Sequence, residues 1–129
     1  MRSVAEQFDA IARAYGGASL RATPDGAQLV MLPNVSLPAG WSQHQTHVRF
    51  VVPVGYPYAV PDCFWTDPTL RLAQGQLPKN TVIGQVTPSQ PDRNLLWFSW
   101  HVTPNTWSPS TSNLMTYVQV IRRRLEQPQ

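Results

Sequence analysis

The stretch Gly55 to Asp67, GYPYAVPDCFWTD, contains the only cysteine of the chain, Cys63. A thiolate is a strong nucleophile and metal ligand, so Cys63 is the first residue to weigh for chemistry. A free cysteine is also among the most commonly buried residue types. In an extended chain Cys63 is in phase with Trp65 within an apolar run, which predicts an inward-facing core position. His44 and His47 have a spacing that could seat a metal on a helix. Here they lie where a turn runs into a strand, without a neighbouring acid or cysteine, and structural zinc wants four ligands. No metal and no cofactor are expected. Asp62 and Asp67 flank a predicted strand and read as turn and cap carboxylates. No glycine-rich phosphate loop precedes a helix, so nucleotide binding has no support.

The 129 residues fit one domain, 1–129, large enough to bury a core without a disulfide or metal. One cysteine means no intramolecular disulfide, which fits a reducing compartment and makes the cytoplasm the expected location. No apolar run approaches the roughly 18–20 residues of a membrane span. The first residues carry acids and no continuous apolar run, unlike a signal peptide. The formal net charge is +3. Arg122 to Arg124 are consecutive, and the expectation for them is a solvated helix end, where cations suit the dipole. Nucleic acid is not an expected partner.

Several elements must position these groups. Val4, Phe8, Ile11 and Tyr15 follow helical spacing, with Ser3 as N-cap, Glu6 at the capping-box position and Gly16-Gly17 as the stop. Strands are predicted over Ala18–Ala22, Gln28–Ser36 with a bulge or edge at Pro33, His47–Val52, and Cys63–Thr66. In the third, Val48, Phe50 and Val52 share one face. Leu70 to Asp92 is polar and weakly patterned, the kind of long crossing that is often functional. Leu95 to Val102 is aromatic and extended. Leu114, Tyr117, Val118, Ile121 and Leu125 mark a final helix, capped near Ser110 or Ser112. Trp41 is expected in the core. Helix, adjacent strands, a long crossing and a second helix predict an α+β fold with an antiparallel meander.

This order, with two local motifs, resembles the ubiquitin-conjugating-enzyme superfamily. Tyr56-Pro57-Tyr58-Ala59-Val60-Pro61-Asp62-Cys63-Phe64-Trp65-Thr66 follows the family's Tyr-Pro-Phe-x-Pro-Pro-x-apolar-x-Phe-x-Thr pattern, with Val60 in place of the first proline of the pair. Trp107-Ser108-Pro109 matches the Trp-Ser-Pro that precedes a family helix. Phe98-Ser99-Trp100-His101 is similar to a Trp-Ser-x-His segment of the short bacterial "family E" group. The resemblance implies an N-terminal helix, a four-stranded meander, a long irregular segment and a C-terminal helix. It also implies ubiquitin-like transfer, with a ubiquitin-like protein and an adenylating activating enzyme as partners, and a second protein of this fold or another copy of the chain as a further one.

The same resemblance frames the site. The family's nucleophilic cysteine lies eight residues before the Trp of Trp-Ser-Pro. Here that position is Ser99, whereas Cys63 lies forty-four residues before Trp107. The family's His-Pro-Asn triplet is missing; His101 and Pro104-Asn105 follow Ser99 instead. Two readings stand side by side. In one, Ser99 carries the ubiquitin-like C-terminus as an oxyester, His101 is the general base, and Asn105 donates to the oxyanion. In the other, the fold is a catalytically inactive scaffold that binds the same partners.

Overall fold

A computed structural model of the chain describes residues 2–129. Helix α1 spans Val4–Ala14, and Ser3 and Glu6 form the predicted capping box. Four strands follow: β1 (Ser19–Ala22), β2 (Gln28–Ser36), β3 (Gln45–Val52) and β4 (Phe64–Thr66). They pair in sequence as an antiparallel meander. The β2–β3 register shifts between Leu32 and Val35, the irregularity that Pro33 predicts.

Two more strands enlarge this sheet beyond the four expected. β6 (Leu96–Phe98) pairs with β4, and β5 (Thr81–Ile83) pairs with β6 to form the far edge. The order is β1-β2-β3-β4-β6-β5. Thr81-Val82-Ile83 is rich in β-branched residues, but three residues are too few for alternation to stand out in a polar segment. Helix α2 spans Leu114–Leu125. Its N-cap is Asn113, whose side chain accepts from the Thr116 N–H, and not Ser110 or Ser112. Ser112 instead uses its hydroxyl to accept from Ser108 N–H at 2.9 Å, closing the preceding turn.

Both helices cover one face of the sheet. Ile11 of α1 and Leu114, Tyr117, Val118, Ile121 and Leu125 of α2 pack on Val48, Phe50 and Val52 of β3, with Phe64 and Phe98 beneath. The Phe64 and Phe98 rings stack at 4.6 Å. Trp41 joins this core and donates its Nε1–H to Leu125 O at 2.7 Å. Gln7, an unexpected buried polar residue, accepts from Tyr56 OH at 2.6 Å and from Leu114 N–H at 3.0 Å. One amide thereby ties α1 to the start of α2 and to the Pro57 turn.

The Leu70–Asp92 segment is ordered by contacts to the rest of the fold. Leu70 is fully buried, Gln85 O accepts from Trp65 Nε1–H at 2.8 Å, and Asp92 pairs with Arg49 at 3.5 Å. Part of this segment thus covers the sheet face opposite the helices, where Trp65 lies.

The arginine run does not behave as one solvated end. Arg122 and Arg123 are exposed, but Arg124 is buried. It lies three residues beyond Ile121, on the face of α2 turned to the sheet. Its guanidinium sits 5.2–5.8 Å from the rings of Trp41, Phe98 and Trp100. It also donates to the carbonyls of Gln127, Lys79 and Gln129.

Candidate functional site

A cleft of about 520 Å³ opens between the Tyr58–Asp62 segment and the chain from His101 to Pro109. Trp107 fixes one wall: its Nε1–H donates to Pro57 O at 2.9 Å, and its ring meets Tyr56 edge-on at 6.0 Å. The two motifs that carry the resemblance, separated in sequence, therefore build the same cleft.

His101 and Asn105 both line this cleft; Ser99 does not. Ser99 is half-buried just past the end of β6, and its N–H donates to Asn80 O at 2.8 Å. Asn105 is exposed at the rim, with a left-handed backbone at φ +65° that asparagine tolerates. His101 is hydrogen-bonded through Nδ1 to Asp62 Oδ1, its partner across 39 residues of sequence. Among the described residues no hydrogen bond joins His101 to Ser99. With Asp62 ionised, Nδ1 donates and Nε2 is left as the basic nitrogen, the arrangement that orients an imidazole for proton transfer. Both side chains are open to solvent, 62% for His101 and 59% for Asp62.

From their places beside a strand, Asp62 and Asp67 both suit turn and cap chemistry. Asp67 fits that assignment, accepting from His47 N–H and from the Gln43 amide. Asp62 instead faces His101. Nothing local signals this, because β4 and β6 are brought side by side only by the fold.

Cys63 is buried, as expected, at 7% exposure. It lies just outside β4 with φ +63°, so it is not a regular strand residue. Nor is it part of the cluster packed beneath the helices. Its N–H donates to Trp100 O at 3.0 Å, and its carbonyl accepts from Tyr117 OH at 2.7 Å. Burial, followed by smaller effects that include the neighbouring Asp62 carboxylate, pushes the thiol pKa up. On its own this thiol is a poor nucleophile at neutral pH.

An N-terminal helix, an antiparallel meander entered through a Tyr-Pro segment, and a C-terminal helix define a ubiquitin-conjugating-like fold. The family model for prokaryotic E2 family E matches residues 16–128, and the chain belongs to that family. Membership gives it an E2-like role in a prokaryotic ubiquitination-like pathway, a role that in general involves a ubiquitin-like protein and an activating enzyme. No curated protein and no solved structure matches the chain. Among the described residues, no helix is long and apolar enough to cross a membrane.

Proposed function

We propose that the chain is an acyl carrier, in which Ser99 accepts the C-terminus of a ubiquitin-like protein from an adenylating activating enzyme. The bond from Ser99 Oγ to the acyl carbon forms, the bond from that carbon to its activating group breaks, and His101 Nε2 takes the hydroxyl proton. Asp62 holds the imidazole in the required tautomer, and the Asn105 amide donates to the developing oxyanion. The observation that most supports this reading is the Asp62–His101 pair at the cleft. A serine hydroxyl is a weak nucleophile without an oriented base.

The scaffold reading is favoured by one observation, that Ser99 lies outside the residues lining the cleft. In that case the same surface binds the ubiquitin-like protein, the activating enzyme or an active relative without chemistry. Intact mass after incubation with the cognate ubiquitin-like protein, its activating enzyme and ATP separates the two. The carrier reading expects an adduct on the wild type that resists thiol, that mild base releases and that Ser99→Ala lacks, and a thiol-labile adduct on Ser99→Cys. Stable binding of either partner with no wild-type adduct would select the scaffold.

A further inference from the structure

Asp62, Cys63 and His101 each present one metal-binding atom, and these three atoms all lie within 4.8 Å of one another. Around a tetrahedral zinc ion with bonds of 2.0–2.3 Å, ligand atoms sit roughly 3.3–3.8 Å apart. Modest side-chain rotations therefore close the set. The parts that would rotate are the exposed ones, Asp62 and His101, whose side chains are more than half open to solvent. The part that is fixed is Cys63, held by Trp100 O on its N–H and by Tyr117 OH on its carbonyl. The result is one buried sulfur on a tethered backbone, beside two adjustable ligands that line the solvent-open cleft.

Charge points the same way. One thiolate and one carboxylate together match the charge of a divalent ion, and a neutral imidazole adds a third donor. Sulfur with nitrogen and a single carboxylate suits zinc-class metals and not magnesium or calcium, which take oxygen ligands.

We propose that Asp62, Cys63 and His101 form a binding site for a zinc-class divalent cation, with three protein ligands and a fourth position open to the cleft. On binding, the sulfur–metal bond replaces the thiol S–H bond and the proton passes to solvent. The imidazole binds as its neutral form, with its proton on the other nitrogen. The carboxylate contributes one oxygen. The site stands whether or not Ser99 is acylated. Because the ion engages the same imidazole and carboxylate as the Asp62–His101 pair, metal occupancy and base catalysis by His101 exclude each other.

The test is titration of the full, reduced chain with Co²⁺, followed by absorbance. The expected result is a saturable near-ultraviolet sulfur-to-cobalt band with visible bands of a four-coordinate ion, all displaced by Zn²⁺. Cys63→Ser abolishes the near-ultraviolet band. Asp62→Ala and His101→Ala, whose side chains are exposed and whose folds are checked by circular dichroism, weaken Co²⁺ binding by at least about tenfold. These two variants carry the test even if Cys63→Ser does not fold. Absence of the sulfur band in the wild type, or an unchanged affinity in both Asp62→Ala and His101→Ala, overturns the site.

Discussion

Tyr117 of α2 donates its hydroxyl to the backbone carbonyl of Cys63 at 2.7 Å. The hydroxyl is deeply buried, and burial holds its pKa well above the usual tyrosine value. It therefore remains a donor across the working pH range. Through this bond the C-terminal helix fixes the backbone beside the Asp62–His101 pair. Tyr117→Phe should keep the edge-on packing against Phe50 but leave the Cys63 carbonyl without its partner. The expected cost is about 1–3 kcal/mol, read from urea unfolding. An unchanged midpoint would show that the carbonyl finds another donor.

Arg124 should be far more sensitive to substitution than its neighbour Arg123. Arg124 makes three hydrogen bonds to carbonyls beneath an aromatic cover, whereas Arg123 is exposed. Loss of such charge-assisted bonds makes Arg124→Ala destabilising by about 2–3 kcal/mol or more. Arg123→Ala should stay within about 0.5 kcal/mol. Arg124→Lys should not rescue, because an ammonium cannot reproduce the planar fork. Equal melting temperatures for the two alanine variants would refute this assignment.

Acid sensitivity should be traceable to Asp25. The Ser89 hydroxyl, then the Thr23 hydroxyl, donate to its carboxylate and hold its pKa below the usual aspartate value. A folded pKa below the unfolded one stabilises the fold above the unfolded value, about 3.9. That contribution is lost as pH falls through the lower folded value. Asp25→Asn should therefore lose less stability than the wild type between pH 5 and pH 3, to be read from urea midpoints at each pH. Parallel pH profiles would remove Asp25 from the account.

Under the carrier reading, His101→Gln should slow single-turnover adduct formation by about 10²–10⁴. Asp62→Asn should slow it by a smaller factor, because the imidazole survives but its tautomer is no longer imposed. Asn105→Ala should cost about 10²–10³ if its amide meets the oxyanion. Rates that are indifferent to His101→Gln would leave Ser99 without its base.

Much of the fold is legible in the chain because its signals are local. Ser3 and Glu6 announce the first helix, and Pro33 marks the irregularity in β2. The alternation of Val48, Phe50 and Val52 gives the buried face of β3, and all three are buried. Trp41 and Cys63 are buried as their types suggest. Signals failed where three residues had to declare a strand, as in Thr81–Ile83, and where Asn113 competed with nearby serines for the helix cap. Arg124 departs from the solvated helix end that a charged run suggests, because helix periodicity turns every third or fourth residue inward.

The sequence by itself determined the α+β order, the Tyr-Pro and Trp-Ser-Pro motifs, and the candidate residues Ser99, His101 and Asn105. Local propensity, alternation and motif spacing are properties of neighbouring residues, and they survive without a fold. Only the tertiary structure decided that His101 meets Asp62, that Cys63 joins them, and that Ser99 stands apart from the cleft lining. Pairing β6 with β4 sets Phe98 beside Phe64 and carries the two flanking segments together. That juxtaposition depends on strand order and register, which are fixed by burying Phe64, Leu96 and Phe98 beneath the helices.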